Sequence, residues 1–107
     1  MAGVFTERVC ALLASVPPGR VVTYGSLAAA AGSPRGARQV VRILHTQSRR
    51  RNLPWHRVIA AGGRIALRDP PAADLQRSLL ESEGVEFNIS GTVNIEVHRW
   101  KIGRAHV

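Results

Sequence analysis

The chain is short of cysteine, lysine, acidic residues and long apolar runs, and each shortage narrows what it can be. One cysteine, Cys10, stands in 107 residues, so no internal disulfide forms. There is no stretch of about 18 apolar residues, the length needed for a membrane-crossing helix. The N-terminus lacks the basic segment, apolar run and cleavage site of a secretory leader. A cytoplasmic protein without membrane contact is expected. His45, His56, His98 and His106 are scattered, without metal-ligand spacing, so neither a metal nor another cofactor is expected. Seven acidic residues face fifteen basic ones, a formal net charge of +8. Lys101 is the only lysine, so every other basic side chain is a guanidinium. This balance favours a polyanionic partner, while arginine-rich coding that produces a solubilising surface is the competing reading.

What is present fits one domain with one modest core, read here as residues 1–101, because the chain is too short for two self-sufficient cores. Val4, Phe5, Val9, Leu12, Leu13 and Val16 recur at helical spacing until Pro17-Pro18-Gly19 stops them. Cys10 lies inside that helix and reads as a small core residue, since nothing nearby in sequence lowers its pKa. Thr23 is suited to cap a second helix through Leu27 and Ala28, with Gly32 as its turn. Ser33 is then expected to cap a third helix with Pro34 at its first position and Val40, Val41, Ile43 and Leu44 on its apolar face. A short helix, a glycine turn and a longer basic helix form the pattern of a helix-turn-helix, one that also occurs in proteins that never touch DNA.

Residues 47–52, with Arg49-Arg50-Arg51, read as an exposed loop, either solvated or in contact with phosphate. Residues 53–67, turning at Gly62-Gly63, read as a tight β-hairpin. A last helix is expected over 72–83, with Leu75, Leu79 and Leu80 on one side and Gly84 closing it. Residues 85–100 alternate weakly and read as extended segments, with Trp100 as a packing anchor. Residues 102–107, Ile-Gly-Arg-Ala-His-Val, match the translation of a common sequencing adapter (ATC-GGA-AGA-GCA-CAC-GTC). A non-native or disordered tail is expected there, and it is set aside from functional reasoning.

Four ordered motifs then carry a resemblance. Pro54-Trp55-His56-Arg57-Val58 resembles the Pro-Cys-His-Arg-Val of the O6-alkylguanine-DNA alkyltransferases, with Trp in place of Cys as in their alkyltransferase-like relatives. The segments 19–25, 33–40 and 80–85 resemble, in turn, the approach to that family's first DNA-binding helix, its recognition helix and the end of its last helix. The likeness spans roughly residues 4–100. It implies a mainly α, winged-helix-like helix-turn-helix domain with a small β-hairpin, of the type found at the C-terminus of those enzymes.

In the enzymes a thiolate attacks the alkyl carbon, helped by a histidine and a glutamate. The resemblance places His56 and Glu83 at those positions as relay remnants, but an indole has no group with which to displace guanine. By the same resemblance Arg38 fills the base stack and Tyr24 crowds the phosphate and helps rotate the nucleotide. Tyr24, Ser33, Arg35, Gly36, Ala37, Arg38 and Gln39 are the implied DNA-binding residues, and Tyr24, Trp55, Arg57, Val58 and Arg68 the implied lesion pocket. From the residues alone, Arg38 also reads as an ordinary exposed arginine, Tyr24 as a core tyrosine and Trp55 as core filling. Two departures from the enzymes stand out. Val41-Arg42 and Gln47 fall near their small-residue stretch and asparagine hinge, and Arg68-Asp69-Pro70-Pro71 replaces their Ser/Gly-rich loop.

The function implied is a monomeric damage sensor, nucleoid-associated when bound, that flips O6-alkylguanine in double-stranded DNA without repairing it. It would mark the lesion for nucleotide excision repair proteins. The alternatives are an active alkyltransferase using a different acceptor residue and a helix-turn-helix transcription regulator.

Overall fold

In the computed structural model, which describes residues 3–101, the chain is mainly helical with a two-stranded sheet. The expected tail at 102–107 lies outside the described residues. Helix α1 (Val4–Ala14) buries Val9, Cys10 and Leu13, one face at helical spacing. Strand β1 (Val22–Thr23) leads directly into α2 (Tyr24–Ala30), where the Thr23 hydroxyl accepts the Ser26 N–H at 3.0 Å, as the cap predicted.

Helix α3 spans Ala37–Arg51, so it begins later and ends later than the pattern suggested. Ser33 does not cap it. Ser33-Pro34-Arg35-Gly36 closes a turn instead, with the Gly36 N–H donating to the Ser33 carbonyl at 2.8 Å. Ser first, Pro second and Gly fourth is the composition a β-turn favours, and here it outcompetes helix initiation. At the other end the arginine triplet is no loop but the last helical turn, where cations complement the negative end of the helix dipole. Arg51 reaches back to Glu7 of α1 with contacts of 2.7 and 3.0 Å, and Asn52 in the left-handed region (φ 52°) ends the helix.

The second strand, β2 (Val58–Ile59), pairs in parallel with β1, in the register Val22 with Val58 and Thr23 with Ile59. The expected hairpin is therefore corrected. A tight turn does occur, with Gly62 and Gly63 both at positive φ and the Ala60 N–H donating to the Arg64 carbonyl at 2.8 Å. The returning segment forms no strand, because the Gly63 carbonyl is taken by the Val93 N–H at 2.8 Å. Helix α4 (Pro70–Ser82) is capped by Asp69, whose carboxylate accepts the Ala72 N–H at 3.2 Å. Its buried residues are Gln76 and Leu80, while Leu75 is 52% exposed, so the inward face is rotated from the one read in sequence.

The 85–100 segment is only partly extended: Phe87 bridges Val93, and a short helix α5 (Ile95–His98) follows. Trp100 packs against the core, and its backbone N–H donates to the Val21 carbonyl at 2.9 Å.

Two cores meet at the small sheet. One gathers residues of α1, α2 and α3 with Val22 and Val58; the other joins Val21, Ile59, Leu80, Val85 and Val93. Successive strand residues point to opposite faces, which is how four neighbouring positions serve both cores. Among the described residues, no helix is long and apolar enough to cross a membrane.

Candidate functional site

Leu53 and Val58, both buried, pin the two ends of the Trp55–Arg57 turn, a single 3-10 turn between α3 and β2. His56 Nε2 lies 2.7 Å from Glu83 Oε2. Arg57 donates to the same carboxylate from Nε at 3.0 Å and Nη2 at 2.7 Å, and to the Val16 carbonyl at 2.9 Å. The Gly19 N–H completes the cluster at 3.0 Å from Glu83 Oε1. Glu83, next after the end of α4, thus gathers the Trp55 turn and the α1–β1 loop. Burial alone would raise its pKa, but the hydrogen bonds from Arg57, His56 and Gly19 prevail and hold it at about 2.

On the other side of Trp55 opens a cleft of about 490 Å³, within the range of small-ligand sites. Tyr24 at the start of α2, Trp55, Leu67 and Gln76 line it together with one face of α3. That face is Val41, Leu44, His45, Ser48 and Arg49, at the i, i+3 or i+4 steps that stack side chains along a helix, and Asn52 just past the helix end continues it. Burial raises the Tyr24 pKa, which keeps its hydroxyl protonated at neutral pH.

Of the five residues the resemblance assigned to a lesion pocket, Tyr24 and Trp55 line this cleft. Arg57 faces the Glu83 cluster instead, Val58 is fully buried in the core, and Arg68 is exposed beside the cleft residue Leu67. Arg57 and Val58 therefore lie outside the cleft lining, Arg57 tied to Glu83 and Val58 held in β2. Sequence reasoning missed the α3 face and Gln76. The period of 41, 44, 45 and 48 was readable once α3 was known to run to Arg51. Gln76, four residues before Leu80, is a polar residue in a core row.

Around the α2–α3 turn, Arg35, Arg38 and Gln39 are exposed. Gly36 is buried; a Cβ there would meet Phe5 and the Ser33 hydroxyl at 3.0 Å. Its small size thus serves packing of the turn onto α1. Arg38, Arg42 and Arg49 fall on one exposed stripe of α3 and enter no ion pair among the described residues. Cys10 is buried, and burial raises its pKa, which disfavours the thiolate. No cluster of metal-ligating side chains occurs among the described residues.

The 6-O-methylguanine DNA methyltransferase DNA-binding domain matches residues 4–85. The chain is 43% identical over 96 residues to the DNA base-flipping protein of Escherichia coli, covering 90% of this chain and 74% of that one. It is 35% identical over 102 residues to Alkyltransferase-like protein 1 of Schizosaccharomyces pombe, covering 91% and 94%. The crystal structure of the S. pombe protein in complex with damaged DNA containing O6-carboxymethylguanine superposes with a TM-score of 0.78 at 35% identity, over 91% of this chain and 94% of that one. The mainly helical fold with its small sheet is therefore the alkyltransferase DNA-binding fold. The chain belongs to the family of the 6-O-methylguanine DNA methyltransferase DNA-binding domain.

Proposed function

We propose that this protein is a DNA-damage sensor that binds O6-alkylguanine in duplex DNA, flips the nucleotide into the Tyr24–Trp55 cleft and does not repair it. The observation that carries this reading is Trp55 itself. It stands in the Pro-x-His-Arg motif, with His56 and Glu83 hydrogen-bonded beside it at 2.7 Å, yet its indole offers no nucleophile. The same relay geometry that would activate a thiol here orients a turn. An indole instead gives the cleft a flat apolar wall, against which each buried methylene of an alkyl group contributes about 0.8 kcal/mol.

Flipping leaves a gap in the base stack and costs about a few kcal/mol in lost stacking and pairing. Arg38, exposed in the first turn of α3, is the residue that fills the gap in this reading, while Tyr24 holds the rotated nucleotide. Arg35 and Gln39 flank Arg38, and Ser33, Gly36 and Ala37 shape the turn that presents it. Arg68 lies over the flipped base, where cation-π attraction reports on the ring's charge. The N-terminus of α3 has no side-chain cap, so its N–H groups and the helix dipole are turned toward phosphate. The name of the E. coli relative and the damaged-DNA complex of the S. pombe relative support the reading. The protein acts as a monomer in the cytoplasm and hands the marked site to nucleotide excision repair proteins.

Intact-mass spectrometry after incubation with O6-methylguanine DNA tests the absence of repair. An unchanged protein mass is the expected result. A gain of one methyl on any residue, Cys10 included, would make the protein an alkyltransferase.

A further inference from the structure

Gln76 is 1% exposed, and its amide orientation is fixed. Nε2 donates to the backbone carbonyls of His56 at 3.0 Å and Val58 at 2.8 Å, and only the amino group can do so. Oε1 must therefore point the other way. It is wholly buried and finds no donor among the described residues. The same holds for the hydroxyl oxygen of Ser48, on α3. A helical serine usually turns its hydroxyl back to the carbonyl four residues earlier, and Ser48 does not. Both residues line the cleft that holds Tyr24 and Trp55. A buried polar atom without a partner is costly, and among the described residues these two are the buried side-chain polar atoms that have none.

We propose that Gln76 Oε1, which can only accept, together with the Ser48 hydroxyl, which can accept as well as donate, forms an acceptor pair that selects O6-substituents ending in a hydrogen-bond donor, such as a hydroxyl or an amine, over purely aliphatic ones. This rests on the cleft being the lesion site. The guanine ring stays beside Tyr24, and the far end of the substituent is the part that reaches past Trp55 toward α4. Contact requires side chains over the two atoms to rotate. Gln76 Oε1 can only accept, and its Nε2 protons are already committed, so a matching ligand group has to donate. In a cleft with no acceptor, a terminal hydroxyl would lose its water contacts without replacement and bind worse than a methyl of the same size. The acceptor pair reverses that order.

The test compares equilibrium binding of the full chain to three duplexes that differ at one position: guanine, O6-propylguanine and O6-(2-hydroxyethyl)guanine. The two adducts have equal numbers of heavy atoms in the substituent and differ by a methyl against a hydroxyl. Both are expected to bind more tightly than guanine, and the hydroxyethyl adduct about threefold to tenfold more tightly than propyl, the worth of one net hydrogen bond. Ser48→Ala, a surface-sparing change on a helix, and Gln76→Met should reduce or reverse that ratio. The thermal unfolding midpoint of each variant, measured without DNA, separates lost selectivity from lost folding: a changed ratio in a variant that melts with the parent reports the acceptor pair. Equal binding of the two adducts, preference for propyl, or a hydroxyethyl preference that survives both substitutions would overturn the acceptor pair while leaving the lesion site intact. Binding all three duplexes alike would overturn the lesion site and the acceptor pair together.

Discussion

Glu83 ties three separate segments of the chain through one carboxylate, and its protonation is one point at which acid reaches this fold. Its pKa falls from the ordinary 4.5 to about 2 on folding. The folded state therefore binds the proton less tightly than the unfolded one, so the stabilisation is full above the unfolded value and is lost as pH falls from about 4.5 toward 2. It amounts to roughly 3 kcal/mol at neutral pH. Glu83→Gln should lower stability by about that much at pH 7 and flatten the acid limb of a denaturation-versus-pH curve. An acid limb of unchanged slope would show that the cluster is not linked to folding. Two adjacent glycines give a second residue-scale test. A Cβ on Gly63 would overlap the Val93 carbonyl, whereas one on Gly62 meets nothing within 4 Å, although both residues have positive φ. Gly62→Ala should cost about 1–2 kcal/mol from backbone strain alone. Gly63→Ala should cost clearly more in urea unfolding, because backbone has to move. At this scale the sequence motif named His56, Glu83 and Trp55, but Gln76 stayed hidden, since one polar letter in a helix does not say which way it faces.

Helix α3 does three jobs with three faces. Val40 and Ile43 enter the core, Val41, Leu44, His45, Ser48 and Arg49 line the cleft, and Arg38 and Arg42 face outward, with Arg49 exposed at the cleft rim. Arg38→Ala should remove most of the preference for lesioned over intact duplex while leaving weak non-specific binding. Arg42→Ala should weaken both duplexes alike and shallow the dependence of log affinity on log salt by about one, the share of one phosphate contact. Competition binding across a salt series reads both. If Arg38→Ala behaved as Arg42→Ala does, Arg38 would be a phosphate contact and not the residue filling the stack. The helices α1, α2 and α4 were legible because apolar spacing is followed by a stop in each, Pro17-Pro18-Gly19, Gly32 and Gly84, although α4 starts two residues earlier than read, at Pro70 behind the Asp69 cap, and turns a different face inward. The start of α3 was misread because Ser33-Pro34 suits both a cap and a β-turn, and Gly36 at the fourth position decides for the turn. Its end was misread because a run of arginines looks like a loop until Glu7 and Gln47 are seen to hold Arg51.

The whole molecule is two small cores on either side of a four-residue sheet, with the basic face on one of them. The hairpin was not legible as a parallel pair because its partner lies some 36 residues earlier in the chain, and local turn chemistry is silent about distant pairing. Its consequence is functional. The strand that follows the Trp55 turn is bolted to the strand that precedes Tyr24, Val58 to Val22 and Ile59 to Thr23, so the two sides of the cleft are held in one register. In the function proposed above, a cleft so fixed recognises the lesion by its shape and does not repair it. Equilibrium titration of matched duplexes, one with O6-alkylguanine and one with guanine, measures that recognition directly. Tighter binding of the lesioned duplex, fully reversed when unlabelled competitor is added, is the predicted result. Equal affinities, or lesion binding that competitor cannot reverse because a covalent bond has formed, would contradict it.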